Sequence, residues 1–469
     1  MKSIMKSIKK LFIMTSVVAG CFAANAQHTY SGYFLDNYTY RYEMNPAFGN
    51  SKGFVSMPVI GNFNTAIRGN LHLSDIFYKS PDGGKTMLFT NPQISAAEAM
   101  SKFGNRNKIG TNNKINILSV GFKGFGGFNT ISISATANLE ASLPKAFFSL
   151  AKEGITNTTY DIKDMFAYAN AYASIALNHS HDIKQVPGLR IGASLKFLVG
   201  VGSLDVRFNE ADLTLGTDSW IARTNADIYA SVTGLRFDKK TYTPSGPAGG
   251  APREYVSGAN LDDGFGINGY GLGFDLGAEY KWKDFRFSAA VLDLGFMAWG
   301  KTQWASTNGT QTFTTDAYTF SANGDADNSF DNELDNLKDD LSKLYQLKDM
   351  GEKSSYTRSL AATLNFGVDY ELPVYRNLHF GLLNSTRING AYTWTQFRLS
   401  ANIAPVKVFS ADVNVAAGTY GVGFGWMLNL HTTGINLFLG MDHTLGTLSK
   451  QMIPLNSNAS FNFGLNFPF

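Results

Sequence analysis

The sequence predicts an all-β protein, a transmembrane antiparallel β-barrel of 14–16 strands with helical external loops and an N-terminal plug-like segment. Three observations predict it. Apolar residues alternate with small or polar ones in segment after segment, over runs often longer than the usual strand of about 5–6 residues. Beyond the first 30 residues no apolar run reaches the roughly 18 residues that a membrane-spanning helix needs. The chain ends on Phe461, Phe463, Leu465, Phe467 and Phe469, alternating with Asn462, Gly464, Asn466 and Pro468. Composition agrees. Only 16% of the 469 residues are charged, and 47 Gly, 36 Phe, 21 Tyr and 6 Trp fill the deficit. So many aromatics exclude a disordered chain, and a single cysteine, Cys21, excludes a disulfide scaffold or a cysteine-based metal site.

In chain order, residues 1–26 read as a signal peptide. Lys2, Lys6, Lys9 and Lys10 precede the apolar stretch Leu11 to Ala24, and Ala24-Asn25-Ala26 fits the small-x-small cleavage rule, leaving Gln27 first. Cleavage there removes four lysines and no acid, taking the formal charge from +3 to −1. No basic patch then remains, and nucleic acid is not an expected partner. Val18-Ala19-Gly20-Cys21 also resembles a lipobox, which leaves lipidation of Cys21 open as an alternative. Residues 27–52 follow as a periplasmic or plug segment, and 53–469 as the barrel.

Within the barrel, Ile131, Ile133, Ala135, Ala137 and Leu139 interleave with Ser132, Ser134, Thr136, Asn138 and Glu140. Tyr270, Leu272, Phe274 and Leu276 interleave with glycines and Asp275, and Tyr280 and Trp282 supply an aromatic end. Strands of about 9–11 residues, tilted, cross a bilayer, and aromatic girdles mark its two interfaces. The glycines of GFGINGYGLG (264–273) relieve crowding on the inward face. Counted back from a periplasmic Phe469, the inside turns fall at His431–Gly434, Ala404-Pro405, Glu371–Asn377, Lys283-Asp284, Gly216–Asp218, Asp182–Gly188 and Gly124–Gly127, giving 16 strands. The long connections 70–113, 141–167, 237–265 and 300–356 all fall outside, as such barrels require. Helices are expected at Ser95–Phe103, Leu143–Lys152 and Asp331–Met350. The last carries a stripe of Leu334, Leu337, Leu341, Leu344 and Leu347. Residues 241–252 read as an exposed loop tip.

The blocks YRYEMNPAFGNSKGFVSMPVIGNF (40–63), LPKAFFSLAKEG (143–154), YDIKDM (160–165) and LRIGASLKFLVGVG (189–202) resemble an uncharacterised family of Bacteroidota outer-membrane barrels of unknown function. The triplet Asn45-Pro46-Ala47, ahead of the first strand, also gives a distant likeness to long-chain fatty-acid transporter barrels. That likeness implies an N-terminal segment plugging the barrel, and usually 14 strands. The terminal aromatic strand resembles the signal read by the barrel-assembly machinery. The resemblances imply an outer-membrane protein passing a small or hydrophobic solute, or one whose barrel only anchors loops that engage a partner such as a surface lipoprotein. Outer-membrane lipid is the expected surrounding.

The chemistry-bearing residues nominate no catalytic, cofactor-binding or metal site. His179 and His181 point to one strand face without a third ligand. His431 and His443 have no nucleophile motif near them. Asp325, Asp327 and Asp331 lack the glycine and closing glutamate of a calcium loop. No enzyme activity is expected.

Overall fold

The computed structural model describes residues 30–80, 86–154, 159–163, 165–215, 219–245, 250–262, 266–315, 330–443 and 458–469. The expected signal peptide and lipobox, and Asp325 and Asp327, lie outside the described residues. Fourteen antiparallel strands form a closed barrel. They are β1 (Phe54–Ser56, continued as Phe63–Gly69), β2 (Arg106–Gly124), β3 (Gly127–Pro144), β4 (Phe166–Asp182), β5 (Leu189–Leu215), β6 (Gly269–Trp282) and β7 (Phe285–Ser306). Then come β8 (Lys348–Ser359 and Ala362–Glu371), β9 (Leu378–Ile388), β10 (Trp394–Val406), β11 (Phe409–Gly418), β12 (Gly421–His431), β13 (Asn436–Met441) and β14 (Ala459–Pro468). The last strand returns to the first, with Val55 opposite Phe467 and Asn64 opposite Asn462. Closure removes the sheet edge, the condition for an all-β structure to span lipid.

Alternation sorts the two faces. Leu276, Phe366, Leu399 and Val415 are each more than half exposed on the outside, while Asn365, Arg398, Ser400 and Asn414 are buried inside. The aromatic end appears where the strands meet the short turns: Tyr280 and Trp282 are exposed, and the Phe285 and Tyr370 rings lie 4.9 Å apart. The terminal strand follows the same rule, with Ser460, Asn462 and Asn466 buried and Phe467 exposed. Residues 57–62 interrupt β1. Val59 turns there with φ +68, and Met57, Val59 and Ile60 are exposed.

The count of 16 is corrected by one connection. The expected inside turn Gly216–Asp218 lies outside the described residues; ahead of it β5 runs on for 27 residues, nearly three times what crossing requires. Trp220–Val232 folds back along its outer extension, Trp220 opposite Leu215 and Val232 opposite Gly202, without crossing. Val201 to Leu215 holds no proline, and bulges at Val201 and Asn209 shift its register without ending its pairing, so the strand continues past the membrane. The turn expected around Ala404-Pro405 is three residues later, at Lys407-Val408; Ala404 and Pro405 form an irregularity inside β10, whose Val406 pairs with Phe409.

Two external units stand on the long loops. Leu71, Phe89, Ile94, Phe103 and Phe148 form one core. It joins α1 (Ala96–Ser101) to α2 (Lys145–Glu153), with Phe103 and Phe148 stacked at 4.0 Å. Ser95 caps α1 by accepting the Glu98 N–H at 3.1 Å. The second unit is the hairpin Leu235–Tyr242/Arg253–Leu261 with α3 (Phe330–Lys343) on it. The Asp339 carboxylate accepts from the Tyr242 hydroxyl at 2.5 Å and the Ser245 N–H at 2.9 Å. Helix α3 ends at Lys343 rather than Met350, because Lys348–Ser359 is already barrel strand and Leu347 pairs with Val256. No helix among the described residues is long and apolar enough to cross a membrane.

Candidate functional site

The lumen is filled on one side by the chain's own start. Residues Tyr30 to Phe48 run inside the barrel in short turns, and all except Asp36 and Asn37 are buried. Seven of their rings, from Tyr30, Tyr33, Phe34, Tyr38, Tyr40, Tyr42 and Phe48, form one cluster with Phe54, Phe128, Trp394 and Phe438 of the wall. Burying each such ring is worth roughly 1.5–3 kcal/mol as an upper estimate, so the segment is held as core. The wall also reads its backbone. Asn365 donates to the Met44 carbonyl at 2.9 Å, and Asn429 and Asn436 donate to the Asn37 carbonyl at 3.0 and 3.1 Å.

Two anchors fix the segment. At its start, Asp442 is fully buried and accepts from the Tyr30 N–H at 3.0 Å and the Ser31 N–H at 2.7 Å. The same carboxylate pairs with Arg68 at 2.9 Å and Arg398 at 3.6 Å. The Arg68 guanidinium lies over Trp394 (4.9 Å) and Tyr30 (5.5 Å). At the other end is the triplet singled out in the sequence. Asn45 donates to the Ala278 carbonyl at 3.1 Å and accepts the Ala47 N–H at 3.0 Å; Asn178 donates to the Pro46 carbonyl at 3.3 Å and Arg190 to that of Ala47 at 2.8 Å. Gly192 and Gly277, opposite one another on β5 and β6, make the slot. A Cβ on the first would strike the Pro46 carbonyl, and on the second the Asn45 amide.

Above Tyr42 and Glu43 lies a chamber walled mainly by β2 to β7. Its charged groups are paired: Lys114 with Glu43 at 2.7 Å, and Lys196 with Asp275 at 2.8 Å and Asp293 at 2.7 Å. Ser134 and Ser174 share a hydrogen bond of 2.8 Å. A second, smaller cavity shares Asn138, Tyr172 and Arg387 with the first and reaches Tyr168 and Arg358. Arg358 lies 3.5 Å over the Tyr168 ring and pairs with the buried Asp205. Beyond it Tyr356, bonded to Asp205 at 2.7 Å, stacks on Tyr229 at 4.4 Å, with Trp304 parallel to Tyr229 at 6.0 Å.

The residues singled out in the sequence are thus split. Asn45, Pro46 and Ala47 sit at the base of the lumen, whereas Phe461, Phe463, Leu465 and Phe467 face outward on β14, and the Phe469 N–H bonds the Gly53 carbonyl at 2.9 Å. His179 lies 3.1 Å from His181 and 2.9 Å from Asn129. No group of three or more His, Cys, Asp or Glu side chains gathers among the described residues. His443 is buried beside Asp442, 3.3 Å from the Gln396 amide. Sequence reasoning missed Arg68, Arg398, Asp442 and Lys196; their signal was a charge in the inward phase of an alternating strand.

A closed antiparallel barrel with an apolar outer belt and a polar lumen is the architecture of outer-membrane β-barrel proteins. Within that class the chain belongs to a family of unknown function (DUF5723), matched over residues 46–442. No curated protein matches it. Among solved structures it is similar to the toluene transporter TbuX of Ralstonia pickettii, at 7% identity over 91% of each chain and a TM-score of 0.41. It is also similar to the toluene transporter TodX of Pseudomonas putida, at 8% identity over 95% of each chain and 0.37. A third similar structure is the translocator domain of the autotransporter NalP from Neisseria meningitidis, at 9% identity over 95% of this chain and 100% of that one, and 0.32.

Proposed function

We propose that the protein resides in the outer membrane, exported by residues 1–26 and assembled through its C-terminal aromatic strand, and passively admits a small solute from outside. The observation that carries this reading is the open space above a buried N-terminal floor: two cavities share lining residues and lead from Tyr42 to Arg358. The sequence allowed a hydrophobic cargo as well; a lining of hydroxyls, amides and paired charges favours a polar one. In this reading residues 30–48 close the route below, and Asn45-Pro46-Ala47 is the foot of that closure. Single-channel recording in planar bilayers tests it, with refolded residues 27–469 beside a version lacking 27–52. Steady openings, or openings only after truncation, are expected. Silence from both, with folding shown by heat-shifted gel migration, would count against solute passage.

A second reading makes the barrel an anchor for its external units, and the two folded caps favour it: one has its own aromatic core, the other an Asp339-centred set of hydrogen bonds. Deleting the hairpin 235–261 would then abolish partner capture while leaving conductance unchanged.

A further inference from the structure

We infer that the chamber receives a neutral polyhydroxylated solute, a mono- or oligosaccharide, an inference that rests on the lumen being a solute route. The lining of the two cavities balances four cations, Lys114, Lys196, Arg358 and Arg387, against four carboxylates, Glu43, Glu140, Asp275 and Asp293. Three of the cations are closely engaged, Lys114 with Glu43, Lys196 with Asp275 and Asp293, and Arg358 with Asp205, while Arg387 stands 3.9 Å from Glu140. An ion entering here would lose water and find most of the opposite charge committed, so its desolvation goes largely uncompensated. A hydrocarbon fares no better, because it strips water from hydroxyls and amides and replaces none of their hydrogen bonds.

A neutral polyol matches what is left. Asn112 donates to Asn138, Asn138 to Asn170, and Asn170 to the Tyr168 hydroxyl, each at 2.8 Å, a relay running across β2, β3 and β4. Ser132, Ser134, Ser174 and Ser194 add hydroxyls that both donate and accept. A sugar hydroxyl can replace water against this wall bond for bond. Tyr172 and Tyr42 line the same chamber, offering apolar ring surface to the carbon–hydrogen face of a pyranose.

The test uses refolded residues 27–469 in two formats. In detergent, tryptophan fluorescence is titrated with glucose, maltose, lysine, succinate and toluene. In proteoliposomes, swelling rates are read in the same water-soluble compounds. The expected result is a saturable fluorescence change with maltose or glucose alone, weakened at least tenfold by Asn138→Leu. Ser134→Ala with Ser174→Ala should weaken it several-fold, and serves if Asn138→Leu fails to fold. Saturation by lysine, succinate or toluene at lower concentration than the sugars overturns the assignment, as does no sugar response from protein shown to be folded. Sugar saturation without swelling keeps the solute class and removes the passage reading. Swelling in every compound without saturation keeps passage and removes the solute class.

Discussion

Asp442 carries more of the N-terminal segment's attachment than any other single side chain described above. Its carboxylate binds two backbone N–H groups of the segment and faces two arginines, each only 3% exposed. Asp442→Asn leaves both guanidiniums buried without their counter-charge, at a cost of about 3–5 kcal/mol. Arg68→Met leaves Arg398 beside the carboxylate and should cost less. The temperature at which the folded gel band converts to the unfolded one reads this: Asp442→Asn must fall further, and the reverse order would deny Asp442 its central place. At the opposite anchor, Gly277→Val forces two methyl groups toward Asn45 and Pro46, an overpacking worth roughly 1–3 kcal/mol. The segment should loosen and trypsin should cut at Arg41, which is 6% exposed in the intact protein; continued protection in folded Gly277→Val protein would show that the slot does not hold it. These sites were half legible. Alternation alone puts Arg68, Arg398 and Gly277 on the inward face, but the segment they meet has no period to place it.

Strand β5 shows why element boundaries read less well than element types. Its alternation was legible to Val201, and nothing in the following residues announces that the strand continues past the lipid. The same pattern serves a strand in the membrane and its extension into water, so one misplaced turn added two strands. The hairpin 235–261 on that extension makes a pH prediction. Burial raises the Asp349 carboxyl, but the Lys239 ammonium at 2.8 Å and the Gly351 N–H outweigh it and hold the pKa below its ordinary value. A carboxylate with a depressed folded pKa stabilises fully above its unfolded pKa of about 3.9 and loses that contribution as the pH falls through the folded value. Amide hydrogen exchange in the hairpin, corrected for intrinsic rates, should therefore rise between pH 5 and pH 3 while β9 to β12 stay protected. Asp349→Asn should flatten that dependence; an unchanged profile in this variant would assign the transition to another group.

At the scale of the whole molecule, asymmetry is the most informative feature, and it was readable because loop length needs no knowledge of packing. Six short turns lie at one end of the barrel, among them Phe125-Gly126, Lys283-Asp284 and Lys407-Val408, while the folded units and the outer extensions of β5 and β7 lie at the other. What fills the lumen was not readable to the same depth, since Tyr30 to Phe48 is core made by turns and the hydrogen-bonding wall that receives it comes from strands hundreds of residues away. The asymmetry predicts an orientation that can be measured on cells. The one native cysteine, Cys21, lies within the expected signal peptide, so a single introduced thiol reports alone. Ala251 is exposed on the external hairpin and Val374, 89% exposed, on the turn between β8 and β9. A membrane-impermeant maleimide should label Ala251→Cys on intact cells and Val374→Cys only after the outer membrane is opened. The opposite order would invert the barrel. It would also place Phe469 and the closed base of the lumen at the cell surface, turning a chamber open to the outside into one facing the periplasm.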